Sequence, residues 1–221
     1  MILLYIAAIG AVVIGASALA LAACETAPPP PMVRPAAFTP LGVGAPYLSG
    51  DVIGGRRARV AKMRAAKASP LSAYASGSYM ANLDRELRQQ TAGIGLDVLN
   101  LGNSIVIRIP ATFTFDPGSA VVKPQTDATL LEIARTVKTN KQTFVDVLAH
   151  TDTTGTPQGN QALSETRAAA VAAYLAKHGV GRARIASRGY GESIPLYNPD
   201  VTETQKAANR RIEIRLVPYT G

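Results

Sequence analysis

The sequence predicts one α+β domain of two layers, an α/β arrangement with helices packed on a mixed sheet, in the order βαβαβαβ over residues 100–221. Three observations predict it: short segments with a two-residue period, longer segments with a helical period, and turn-forming clusters between them. In "NSIVIRIP", Ile105, Ile107 and Ile109 alternate with other neighbours, the pattern of a half-buried strand that Pro110 ends. "KPQTDATLLEIARTVKTN" opens with Pro124, favourable in a first helical turn, and sets Leu130, Ile133, Ala134 and Val137 on one stripe. "QTFVDVLAH" is a second strand. "NQALSETRAAAVAAYLAKHG" is an alanine-rich helix, with Asn160 or Ser164 as caps and Gly179 as its stop. "RIASRGYG" and "RRIEIRLVP" are two further strands, and a short helix around "TETQKAANR" separates them. No repeat of solenoid length is present.

The chain ahead of this domain divides by composition into residues 1–23, 24–69 and 70–99. Residues 2–23 carry no charge and are long enough, at about 20 apolar residues, to cross a bilayer. "ETAPPPPMVRPAAFTP" favours an extended polyproline spacer. "GDVIGGRRARVAKMRAAK" is basic, and is read either as a solvated linker or as a short surface helix able to meet anionic lipid head groups. "PLSAYASGSYMANLDRELRQQTAG" is helical from Tyr79 to Gln90 and stops near Gly93.

The formal charge is +8, which raises the question of nucleic acid. Residues 25–92 hold nine basic and four acidic residues, so the excess lies mostly outside the domain. No zinc finger, RNP-type aromatic motif or helix-turn-helix cue accompanies it, and nucleic acid is not an expected partner. The single cysteine, Cys24, cannot form an intramolecular disulfide. With "LAA" ahead of it, Cys24 resembles the lipobox of bacterial lipoproteins, in which the cysteine takes a diacylglyceryl group after the preceding signal peptide is removed. No Lys or Arg precedes the apolar run, so an uncleaved membrane anchor stays open.

Asp152 stands just beyond a strand and Arg167 near the start of the following helix, so the loop between them can bring both charges to one rim. Such a pair either closes on itself or receives a zwitterion. A guanidinium grips a carboxylate with two parallel bonds, and a carboxylate accepts from an ammonium.

Four blocks, "FTFDPGSAVVKPQTDATLLEIA", "HTDTTGTPQGNQALSETRAAAVAAYL", "RIASRGYGESIPLYN" and "ANRRIEI", together resemble the OmpA-like C-terminal domain, over roughly residues 100 to 217 and in family order. The domain also occurs in peptidoglycan-associated lipoproteins and in the flagellar motor protein MotB. The lipobox and the preceding segment make the chain most similar to the small peptidoglycan-associated and YiaD-like lipoproteins. Ala149 stands where many relatives have glycine before "HTD".

The resemblance implies non-covalent binding of the peptidoglycan stem peptide through meso-diaminopimelate, with Asp152 at the ligand's ammonium and Arg167 at its carboxylate. It implies further ligand-binding or shaping roles for Thr151, Asn160, Leu163, Phe115 and Asp116. The bland readings are that Leu163 and Phe115 fill the core and that Asp116 caps the turn at Pro117 and Gly118. Asn209, Arg210 and Arg211, in the family's "NRRIEI", are expected to support the binding loops. The implied protein is an outer-membrane, periplasm-facing lipoprotein tied to the wall, with the inner membrane also open. A stator-like or secretion-complex component anchored by an uncleaved helix is the alternative. Against a proton-driven stator, residues 2–23 hold no carboxylate or basic side chain.

No catalytic residue, metal site or cofactor is expected. His150 lies beside the Asp152 loop, but two histidines with no second cysteine and no G-x-S-x-G motif assemble neither a zinc site nor a triad. His178 is read as a donor at a helix C-terminus.

Overall fold

A computed structural model describes residues 52–94 and 96–220. The apolar segment 1–23, Cys24 and the proline-rich spacer lie outside the described residues. Among those described, no helix is long and apolar enough to cross a membrane.

The elements are α1 (Arg56–Ala65), α2 (Ala73–Gln90), β1 (Asp97–Asn100), β2 (Ile105–Pro110), α3 (Ala111–Thr114), α4 (Pro124–Thr139), β3 (Thr143–His150), α5 (Pro157–Lys177), β4 (Ile185–Gly189), α6 (Glu203–Asn209) and β5 (Arg211–Pro218). The sheet order is β1-β2-β5-β3-β4. Only the β3–β4 pair is parallel, with α5 as its crossover; the others are antiparallel. The mixed sheet and the βαβαβαβ order from β2 onward are as expected.

Several local expectations are corrected. β1 is an added edge strand, hairpin-paired with β2 across Gly102, whose φ of 79° suits glycine. α2 begins six residues before Tyr79, because Ser72 caps it by accepting from Ala75 N. α5 begins at Pro157 under a Thr156 cap that accepts from Gly159 N. Asn160 and Ser164 therefore do not cap, and both serve the site described below.

The core lies on one face of the sheet. Ile105, Ile107, Ile109, Val145, Val147, Ile212, Ile214 and Leu216 meet Leu83 and Leu87 of α2, Leu130, Ile133 and Val137 of α4, and Val171 and Leu175 of α5. The alternation in β2 predicts a half-buried strand; Ile105 to Ile109 are instead all buried, as is every residue of β3.

Charged cross-strand pairs explain how the second face is covered. Arg108 stands opposite Glu213 and Asp146 opposite Arg215, with contacts of 2.8 and 2.9 Å. Arg211 also reaches Glu213, at 2.9 Å. Helix α1 then lies over this face: Arg59 meets Asp146 at 2.9 Å and donates to the Arg184 carbonyl, while Met63 packs with Phe144, Val217 and Tyr219. The basic stretch grouped by composition with the linker is, from Val52 on, part of the packed body. Its arginines gave the stretch the look of a solvated face, yet Arg59 is buried because Asp146 neutralises it.

Candidate functional site

β3 ends at His150, and the chain leaves its tip through Thr151 and Asp152 into a loop closed by α5. Close packing of β4 on α5 fixes that loop. A Cβ on Gly189 would stand 2.2 Å from the Glu165 backbone nitrogen, so only glycine allows this approach. The contact brings the Ser164 hydroxyl to accept from Gly191 N at 2.8 Å, and the Gly191 carbonyl accepts from Thr151 N at 2.9 Å. Asn160 donates to the Asp152 carbonyl and to Glu192. On the other side, Asp200 accepts from the Thr153 backbone and hydroxyl and from Asn209. Burial raises the Asp200 pKa, but these hydrogen bonds outweigh it and the net direction is down.

A cavity of about 610 Å³ opens at this end of the sheet, and Asp152, Arg167, Thr151, Asn160, Leu163 and Phe115 all line it. Asp152 and Arg167 do not close on each other. Arg167 donates from Nε to the Ser119 carbonyl at 2.8 Å and from Nη2 to the Asp116 carbonyl at 3.1 Å. Its guanidinium carbon lies 5.2 Å from the centre of the Phe115 ring. Two backbone acceptors and an aromatic face thus hold the guanidinium plane, while Nη1 takes no bond among the described residues. Burial first, and then the neighbouring Arg210 charge, lower the Arg167 pKa, while Asp152 opposes both.

Asp152 accepts from Thr154 N on Oδ1 at 3.0 Å and from Arg210 on Oδ2 at 2.6 Å. A carboxylate has about four lone-pair positions, so this one retains capacity for a further donor. The Thr151 hydroxyl is buried without a hydrogen-bond partner among the described residues, at the cavity wall. Leu163 is half-buried and supplies apolar wall. Phe115 is 1% exposed and both fills the core and floors the cavity, so its two readings are one.

Asp116 departs from expectation. Its carbonyl accepts from Arg167 and from Ser119 N, but its carboxylate is 70% exposed and pairs with Lys123 outside the cavity lining. Of the expected supports, Asn209 accepts from Leu196 N and Tyr197 N. Arg211 holds Glu213 and the Ile194 carbonyl. Arg210 is different: it lines the cavity and bridges Asp152 to Glu203. Burial lowers its pKa, but the bonds to Glu203 and Asp152 outweigh that and the net direction is up.

Glu203 and Lys206, also in the wall, escaped the sequence reading. Glu203 and Lys206, three apart, share one face of α6, and Arg210 follows as its C-cap, which is the signal that could have found them. His150 is buried, stacks on Tyr190 at 5.5 Å between ring centres, and has its pKa pushed down to about 3, by burial and then by Arg211. His178 caps the C-terminus of α5 and stacks on Tyr174. Among the described residues, no group of three His, Cys, Asp or Glu side chains could hold a metal ion.

The OmpA family model matches residues 114–210, which contain every cavity residue named above that the sequence reading had proposed. The chain is 38% identical to the probable lipoprotein YiaD of Escherichia coli over 142 residues, 64% of each protein. It is 35% identical to the peptidoglycan-associated lipoprotein of Pseudomonas putida over 116 residues, 52% of this chain and 69% of that one. The chain thus spans less than two thirds of the YiaD relative's length. Among solved structures, the type VI secretion cell wall anchor of Pseudomonas aeruginosa superposes with a TM-score of 0.55 at 26% identity, covering 62% of this chain and 96% of that one.

Proposed function

The chain belongs to the OmpA family, and from that premise we propose that it is a non-catalytic anchor that binds peptidoglycan through the diaminopimelate of the stem peptide. Two charges of opposite sign that line one cavity without pairing carry this reading. Nη1 of Arg167 is the donor for the ligand's carboxylate, and the free lone pairs of Asp152 accept from its ammonium. Thr151 offers a hydroxyl, and Leu163 and Phe115 take the aliphatic stem. The names of the peptidoglycan-associated relatives support the choice of polymer.

Each charge-assisted hydrogen bond contributes about 1.5–3 kcal/mol, and two or three of them correspond to micromolar to millimolar affinity. Weak contacts suffice when the polymer repeats the ligand and the protein is held nearby at high effective concentration. Acylation at Cys24 would hold it at the outer membrane, as the lipoprotein and porin relatives suggest. A second reading, a wall-anchored part of a secretion or transport complex with residues 1–23 uncleaved, is favoured by the likeness to the type VI anchor. Mass measurement of the mature chain separates the two, since cleavage and acylation at Cys24 belong only to the first.

The test is co-sedimentation with isolated sacculi, comparing wild type with Asp152→Ala and Arg167→Ala. Wild type should pellet, and the folded variants should stay in solution. Variants that pellet as well as wild type would reduce the two charges to a surface feature. Solubilised wall fragments appearing in the incubation would overturn the non-catalytic reading.

A further inference from the structure

A second cavity, of about 750 Å³, has Lys67, Lys138, Lys141 and Arg184 in its walls and no acidic residue. It lies at the opposite end of the sheet from Asp152. β3 starts at Thr143, next to the lining residue Gln142, and finishes at His150, next to Thr151. Eight residues at about 3.3 Å each set the two ends roughly 25 Å apart. Three helices end here: Ala66 follows α1, Lys138 and Thr139 close α4, and Gly179 follows α5.

Part of the positive charge answers those helix ends, each of which carries about half a negative charge. Arg184 does so directly, donating to the carbonyls of Val137, Asn140 and Thr143. The lysines are surplus. Lys67, Lys138 and Lys141 are exposed and make no ion pair among the described residues. Lys177 at the end of α5 and the exposed Arg182 extend the same sign.

Lys67 adds an independent observation. It has φ of 56°, the left-handed conformation just past the C-terminus of α1 that glycine adopts with less strain. The strained position carries a long cationic side chain.

We propose that this basic cavity seats the phosphates of anionic phospholipid head groups, so that one end of the domain rests on the membrane surface while the Asp152 end is presented to the wall. The membrane half rests on the attachment proposed above for residues 1–24. Fewer than thirty residues separate Cys24 from Val52. At about 3.1 Å per residue, a polyproline-like chain of that length reaches roughly 80 Å. Such a tether permits contact without enforcing it. The surplus lysines supply the enforcement, acting within a Debye length of about 8–10 Å.

The test uses the full chain with vesicles of phosphatidylcholine alone or with added phosphatidylglycerol, reading amide hydrogen exchange in residues 66–69, 138–142 and 179–183. Exchange there should slow by about threefold or more on the anionic vesicles, and residues 151–155 and 203–206 should not change. The protection should vanish near 1 M salt, where the Debye length is about 3 Å. It should also vanish in the triple variant Lys67→Gln, Lys138→Gln, Lys141→Gln, which must still pellet with sacculi and so reports its own folding.

Equal protection on both vesicles, or protection that survives the triple substitution, overturns the proposal. Equal protection by inorganic phosphate added to phosphatidylcholine vesicles makes this a free-anion site and overturns the lipid source. A chain captured only by anionic vesicles sinks the N-terminal attachment and leaves this cavity's role standing; capture by neither sinks both. Arg167→Ala should lose the wall and keep the lipid protection, so the two readings fail separately.

Discussion

On the outer face of the sheet, Asp146 accepts from two arginines and from the Ile53 backbone nitrogen, and Glu213 accepts from two more arginines. At the cavity, Asp152 has one arginine and one backbone donor, and Arg167 holds only carbonyls. The residue types are the same in the two regions. On the outer face, acids and arginines alternate across neighbouring strands and are buried, Asp146 against α1 and Glu213 beside His150, with Arg211 bonded to the Ile194 carbonyl. At the strand tip the backbone turns away, and the remaining bonding capacity opens into a cavity. Burial alone does not separate structure from function here, since Asp152 and Arg167 are each only 6% exposed. The separation lies in where the remaining bonding capacity points: Arg59 Nε also lacks a hydrogen-bond partner among the described residues, but it is buried with its acid, whereas Asp152 and Arg167 face the cavity.

The largest effect that tests this contrast is expected at Asp146. Asp146→Ala leaves Arg59 and Arg215 buried without their acid, a loss of about 3–5 kcal/mol. Urea unfolding should show it, and wall binding by the molecules that remain folded should not change. A loss of wall affinity with stability intact would erase the distinction between the regions.

Next comes the pH dependence set by His150, whose folded pKa of about 3 lies below the ordinary value of 6.5. The unfolded chain binds the extra proton between those values, so stability falls as the pH drops through that window, by about 1.4 kcal/mol per unit. His150→Gln should flatten the slope of unfolding free energy between pH 6.5 and 4. An unchanged slope would assign acid sensitivity to other groups.

Arg167→Ala reverses the Asp146 pattern. Removal of its ligand bonds, worth about 1.5–3 kcal/mol, corresponds to roughly 10- to 100-fold weaker wall binding. The urea midpoint should move far less than for Asp146→Ala. The smallest change is expected from Glu203→Gln. Its carboxylate is 76% exposed where it meets Arg210, and exposed pairs contribute about 0–1 kcal/mol. Binding within a few-fold of wild type fits the account, whereas a loss as large as that of Arg167→Ala would make Arg210 the main ligand contact.

The inner half of the fold was legible because apolar period is local: the isoleucines of β2 and the Leu130 stripe of α4 announce themselves. The outer half was not. Arg59 in a basic run reads as solvated until Asp146, 87 residues away in sequence, is brought against it. β1 is only four residues long, too short to show a period. At the site, Asp152 and Arg167 were legible through the resemblance, which carries residue positions but not partners. It could not tell that Arg210 occupies one Asp152 oxygen, or that Asp116 contributes a carbonyl while its carboxylate turns to Lys123.

The central claim is that Asp152 and Arg167 together read the two ends of one zwitterionic ligand. Its most direct test is release of the full chain from sacculi by free meso-diaminopimelate, set against 1,5-diaminopentane, which keeps the two ammonium groups at the same spacing but has no carboxylate. The account predicts release by diaminopimelate and much weaker release by the diamine, with the difference abolished in Arg167→Ala. Equal release by both compounds, or by neither, would contradict it.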